Sequence, residues 1–341
     1  MNLHPIIVVS TISGPTRVGA AVSRSDGTVW DRKSLTGRKS GVMNENWIGR
    51  TVGEVHIESL LGRGGMADVY LGKHNRLNRM VAIKILHEPI RNDPALMKFF
   101  QAEADALTSM QHPNIVRCID CNVIQDRPYI VLELVHGITL HDRLAHLRTR
   151  GLLPPLHIVR QVICSAAEAL NHAHTLGIVH RDVKPANIML LGQDRQLQAD
   201  VPLPEGVQVV VADFGLAQIA QATSTMTDRA IVGTPAYMSP EQITGDTADS
   251  RSDVYSLGIV LYEMLSGRVP FLSKGNSLAD ILYGHTHLVP ASVPNLAADI
   301  QQVVDRALAK DPSKRFSTAG GFAEALEAAI AGETIGALAP A

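Results

Sequence analysis

His180, Arg181, Asp182, Val183, Lys184, Pro185, Ala186 and Asn187 bring an acid, a cation and an amide into one short run. An aspartate can take the proton of an incoming hydroxyl, and a lysine two residues on can neutralise phosphate charge. An asparagine five residues after the aspartate can hold a divalent cation. A polar loop following a helix would give no reason for all of these side chains at these offsets. The run points to phosphoryl transfer, which needs three further parts: a cover for phosphates, a second cation, and a second carboxylate for a metal.

The cover is expected at Leu61, Gly62, Arg63, Gly64, Gly65, Met66, Ala67, Asp68 and Val69. These residues lie between two predicted strands, as a flap on a hairpin and not as the strand-to-helix turn of a dinucleotide or Walker site. Glycine lets backbone N–H groups approach phosphate oxygens, although an ordinary hairpin turn has the same composition. Lys84 gives the flap its weight. It shares a strand face with Ala82 and is flanked by Ile83 and Ile85, so its charge calls for an anion. The helix expected after Pro94 offers one, because Leu96, Phe99, Phe100, Glu103, Leu107 and Met110 recur at spacings of three and four with Glu103 inside the apolar stripe. A Lys84–Glu103 pair is therefore expected. Asp213 follows the apolar run Val209, Val210, Val211, Ala212, where a carboxylate suits Mg2+ bridging phosphates.

Residues 55–134 alternate mostly with period two and read as antiparallel strands, interrupted by one helix with Asp93 as N-cap and Pro94 in its first turn. From Leu140 the period turns helical. Helices are expected from near Pro155 to a stop at Gly177, and over 252–265, 296–309 and 319–331, with a strand pair at 188–191 and 207–212. This is an α+β chain of two lobes, 55–134 and 138–332, with a cleft between them. Residues 192–206 read as a surface insertion. Residues 1–46 lack a sustained period and read as a disordered extension, or as sequence upstream of a start at Met43, and 333–341 read as a short tail.

The chain has 341 residues, with 31 Lys and Arg against 33 Asp and Glu. There is no basic excess to argue for nucleic acid, and no apolar run near the roughly 20 residues of a membrane anchor. Three cysteines, Cys118, Cys121 and Cys164, do not make a disulfide framework. The CxxC spacing of the first two reads as incidental, and the chain as cytoplasmic and reducing.

Taken in order, residues 62–69, 81–84, Glu103, 180–187, 213–215 and 239–241 resemble the eukaryotic-like (Hanks-type) protein kinases. Gly64, Gly65, Met66 and residues 233–242 look most like the bacterial serine/threonine branch. The resemblance spans about residues 50–332. It implies a bilobal fold with an antiparallel sheet and one regulatory helix in the N-lobe, a mainly helical C-lobe, ATP and Mg2+ as cofactors, and protein substrates. It makes Asp182 the base, Lys184 a γ-phosphate contact, Asn187 and Asp213 metal ligands, and Leu132 the gatekeeper. Glu133 and Val135 become hinge groups, with Val69 and Ala82 above the adenine and Met189 below it. It also implies that Asp253 binds the catalytic-loop backbone and that Glu241 pairs with Arg315. Arg181 implies control by phosphorylation of Thr225 or Thr227, in trans through a homodimer. Ala67 departs from the third glycine of the flap. Thr139 and Ala186 stand where acidic residues would read substrate arginines. A pseudokinase scaffold is the alternative, and it would be expected to lack Lys84, Asp182 or Asp213.

Overall fold

The structure is a computed structural model that describes residues 46–64, 67–87, 94–192, 203, 206–214, 235–271 and 277–332, without the side chains of 94–96 and 99. The expected N-cap Asp93 lies outside these residues, as do Gly65, Met66, Thr225 and Thr227.

Six antiparallel strands form the N-lobe sheet: β1 (Thr51–Val52), β2 (Val55–Arg63), β3 (Ala67–His74), β4 (Arg79–Leu86), β5 (Cys118–Ile124) and β6 (Arg127–Glu133), in spatial order β1-β2-β3-β4-β6-β5. In β2 the alternation puts Val55 and Ile57 inside and His56 and Glu58 outside. They join Trp47, Tyr70, Val81, Ile83 and Val131 in one apolar layer. Helix α1 (Pro94–Ser109) covers the other face, burying Phe100, Ala104 and Leu107. Proline in its first turn costs nothing, because that N–H has no helical partner.

The loop after α1 is tied to the other lobe. Val116 N donates to Val211 O at 3.0 Å, Val211 N to Asn114 O at 2.7 Å, and Asn114 Nδ2 to Val209 O at 2.8 Å. Their acceptor strand belongs to a second, three-stranded sheet, β7 (Gly137–Thr139), β8 (Ile188–Leu191) and β9 (Gln208–Val211).

The C-lobe helices are α2 (Leu140–Thr149), α3 (Leu156–Thr175), α4 (Pro240–Thr244), α5 (Ser250–Ser266), α6 (Leu278–His287), α7 (Ala298–Ala307) and α8 (Ala319–Ala331). Their centre is α5, buried from Ser252 to Met264 on every side, as an apolar helix without a polar face requires. It is capped by Asp249, which accepts from Arg251 N, and ends at Gly267 with φ 76°. Within the stretch expected as a surface insertion, Leu203 is instead buried against the C-lobe core.

Arg315 closes the lower lobe. Its five N–H groups meet both Glu241 carboxylate oxygens (2.7 and 2.8 Å) and the carbonyls of Ala309, Arg251 and Lys310 (2.8, 3.0 and 3.0 Å). Burial works to raise the Glu241 pKa, but the Arg315 bonds and the Ser252 hydroxyl outweigh it and hold the carboxyl below its ordinary range. The expected Glu241–Arg315 pair is formed.

Candidate active site

The run 180–187 leaves α3 after Gly177 (φ 76°) and enters β8 through a single 3-10 turn, Pro185–Asn187. Its backbone is held from below by Asp253, fully buried on α5. One carboxylate oxygen accepts from His180 N and the other from Arg181 N, both at 2.8 Å, and His174 Nε2 reaches the first at 2.8 Å. Two successive N–H groups turned to one carboxylate force an unusual backbone, and Arg181 takes φ 62°. Gln242 steadies the same residue from the capping box of α4, donating to Arg181 O at 2.8 Å.

His180 is a second hub. Its Nδ1 accepts from Asp182 N at 3.2 Å, which leaves Nε2 as the donor to Ala212 O at 2.8 Å. The imidazole therefore carries its proton on Nε2 and links the catalytic loop to the strand end that presents Asp213. Phe214 packs against this ring, 4.6 Å between centroids.

Above these supports the expected side chains converge. Lys184 Nζ donates to Asp182 Oδ2 at 2.8 Å, and Asn187 Nδ2 donates to Asp182 O and Oδ2 at 2.8 and 3.1 Å. Asn187 is fully buried, and its Oδ1 has no hydrogen-bond partner. An orphaned buried carbonyl oxygen is costly unless something electropositive meets it. Together with the Asp213 carboxylate next to Ala212, whose N–H bonds Asn187 O at 2.9 Å, it makes an oxygen donor set that fits a hard divalent cation.

Lys84 corrects one expectation. It is buried in mid-strand, paired across β3 and β6 with Val69 and Ile130, but its ion pair is with Asp213 Oδ2 at 3.1 Å and not with Glu103. Glu103 is half-buried on α1. Burial raises its pKa and the charge of Arg181 opposes that rise. Asp213, with φ 67°, turns its carboxylate toward the lysine.

The residues expected to face a nucleotide stand on strands and on the strap between the lobes. The flap is a hairpin, with Gly62 opposite Val69, Arg63 opposite Asp68, and Gly64 N bonded to Ala67 O at 2.9 Å. Asp68 is buried and bonded to His87 Nε2 at 3.0 Å and the Tyr70 hydroxyl at 3.3 Å, which anchors the outgoing side. Leu61 stands in β2 before the turn. Val69 and Ala82 are buried on β3 and β4, and Met189 is fully buried on β8. Glu133 ends β6, its N–H bonded to Arg117 O at 2.9 Å and its carboxylate to Arg79 at 3.2 Å, and Val135 lies in the strap to β7. Leu107, Met110, Cys118, Leu132 and Phe214 line a small cavity beside Asp213.

His180, His174 and Gln242 were assigned no part from sequence. A histidine opening the run was a signal for the first; the other two act through tertiary contacts that no spacing encodes.

Two lobes joined by a strap, with this acid, cation and amide in the cleft, define a protein kinase. The protein kinase domain model matches residues 55–328, and the chain belongs to that family. It is 41% identical over 272 residues to the serine/threonine-protein kinase PknB of Mycobacterium leprae, covering 77% of this chain and 41% of the relative. It is 38% identical over 289 residues to Pkn1 of Myxococcus xanthus, covering 83% and 39%. The chain thus spans about two fifths of the length of these relatives. A crystal structure of a mutant PknI kinase domain from Mycobacterium tuberculosis superposes with a TM-score of 0.63 at 25% identity, over 84% of this chain and all of that one.

Proposed function

We propose that this chain is a Mg2+-dependent serine/threonine protein kinase that moves the γ-phosphoryl group of ATP to protein hydroxyls. The observation that carries it is the Lys184–Asp182–Asn187 constellation with an orphaned Asn187 Oδ1. In this reading Asp182 accepts the proton of the substrate hydroxyl as its oxygen attacks the γ-phosphorus, the bond to the β–γ bridging oxygen breaks, and ADP leaves. Lys184, already 2.8 Å from that carboxylate, balances the charge on the transferring oxygens. Asn187 and Asp213 would hold the metal, which when bound neutralises phosphate charge. Lys84 exchanges Asp213 for Glu103 as α1 approaches β4, leaving Asp213 to the metal side and the ammonium to the nucleotide phosphates. The flap, residues 61–69, covers those phosphates. Ala82, Val69 and Met189 sandwich the adenine, and Glu133 and Val135 meet its edge.

Regulation follows from Arg181, whose strained backbone sits beside the base. Autophosphorylation at Thr225 or Thr227, between two copies of the chain, supplies the phosphate it would clamp. Both threonines lie outside the described residues. Among the described residues no helix is long and apolar enough to cross a membrane, and the domain is proposed to work in the cytoplasm.

The test is phosphate transfer from radiolabelled ATP to a protein mixture by wild type and Asp182→Asn, with and without Mg2+. Label is expected only with wild type and metal; equal labelling by both proteins would falsify the assignment.

A further inference from the structure

Cys118 and Cys121 stand three apart on β5, a spacing that in a regular strand puts two side chains on opposite faces, roughly 10 Å apart along the chain. A bulge removes that separation. Cys118 is opposite Leu132, Asp120 opposite Val131 and Cys121 opposite Ile130, so Ile119 is the extra residue. Leu132 and Ile130 are two apart on β6 and share a face, and the bulge delivers both thiols to that face. The two sulfurs are 3.2 Å apart, and both residues are free and buried in the layer on which α1 rests. Two sulfurs this close need an approach of only about 1 Å to reach bonding distance. Cys164 lies elsewhere, on α3 in the C-lobe.

We propose that Cys118 and Cys121 form a reversible dithiol–disulfide site oxidised by hydrogen peroxide. The peroxide class follows from the burial, since both side chains are more than nine-tenths covered and admit an oxidant little larger than water. The thiolate of one cysteine attacks a peroxide oxygen and the O–O bond breaks. The departing hydroxide takes the thiol proton, leaving a sulfenic acid and one water. The second sulfur attacks the first, the S–S bond forms, the S–O bond breaks, and a second water leaves. The sulfur pair gives up two electrons and hydrogen peroxide is reduced to two waters. The Cys118 contact and burial push the Cys121 thiol well above its ordinary pKa. Cys121 is therefore held in its thiol form, so the site is slower toward peroxide than an exposed thiolate would be. Cys118 also lines the cavity with Leu107, Met110 and Phe214, so the bond would form in the wall that Leu107 of α1 faces.

The full reduced chain is treated with hydrogen peroxide, alkylated and analysed by mass. A loss of about 2 Da is expected, with the bond mapped between Cys118 and Cys121 and only Cys164 alkylated. Dithiothreitol should restore all three alkylations. Cys164→Ala should behave as wild type, and Cys118→Ala or Cys121→Ala should form no intramolecular bond. Three alkylations after treatment, sulfinic acid without a disulfide, or bonds only between molecules would each overturn the proposal. The wild-type measurement decides it even if a variant fails to fold.

Discussion

Replacing Asp253 by asparagine separates the catalytic loop from its support without changing the shape of the side chain. The carboxylate accepts from His180 N and Arg181 N, one on each oxygen. An amide can accept from one of them, and its NH2 group then faces the other as donor against donor. Losing one charge-assisted bond to a buried N–H costs about 1.5–3 kcal/mol. The backbone of Arg181, at φ 62°, relaxes once half its clamp is gone, and holding such a conformation costs about 1–2 kcal/mol. Together roughly 2.5–5 kcal/mol is withdrawn from the loop conformation that presents Asp182. At 1.36 kcal/mol per decade, kcat falls by about 70-fold or more. KM for ATP should change less than about threefold, because Lys84, Val69, Ala82 and Met189 stand on other strands. Steady-state phosphotransfer gives both constants. Asp249→Asn is the control: asparagine keeps the cap of the same helix, only the part-exposed Arg251 pair is weakened and the loop is untouched, so stability should fall by about 1 kcal/mol at most with kcat intact. An Asp253→Asn enzyme with kcat within threefold of wild type, or one losing only ATP affinity, would refute the reasoning.

Other outcomes follow from the same structure. Arg315→Ala strands Glu241 and three carbonyls inside the lower lobe, and calorimetry should find a loss of about 3–5 kcal/mol, with Glu241→Gln/Arg315→Met recovering part of it. His285 is buried, and burial first, then the Lys310 charge, pushes its pKa down from 6.5 to about 4. The unfolded chain takes a proton below 6.5 that the folded one refuses, so stability falls as pH drops from 6.5 to about 4, by up to about 3 kcal/mol, and urea unfolding of His285→Gln should show a flatter acid limb. Glu103 has a raised pKa in the fold, so its charged form opposes folding as pH rises past the ordinary carboxylate range. Glu103→Gln should melt higher than wild type at pH 8 while phosphotransfer falls, a combination that differential scanning fluorimetry with a kinase assay would reveal.

What was legible in the sequence was what local chemistry controls. Pro94 opens α1, Gly177 closes the turn after α3, and α8 spans the expected 319–331, because caps and apolar periods coincide there. The expected helix 296–309 is shorter, Ala298–Ala307, since Leu296 packs against the core from a turn that follows Asn295 at φ 60°. The bounds of β5 were not legible, although it lies within the stretch 55–134 that reads as strands, because its bulge breaks the alternation that marks a strand's ends. α6 escaped notice, with Leu278 and Tyr283 facing outward and blurring its stripe. In the site, the aspartate, lysine and asparagine of one run were readable from spacing alone. The partner of Lys84 was not, because two carboxylates satisfy the same charge rule and tertiary geometry chooses between them.

The tether between the loop after α1 and β9 makes that choice a matter of leverage. Asn114 and Val116 are bonded to Val209 and Val211, so the C-terminal end of α1 is a fulcrum fixed to the lower lobe. A 16-residue helix is about 24 Å long, and Glu103 lies about 9 Å from the fixed end. A swing of about 15° carries the far end some 6 Å but moves Glu103 only about 2.4 Å. Any force on the N-terminal turn of α1 would therefore work the long arm of the lever, and the short arm would carry a small, forceful displacement to the Glu103 carboxylate.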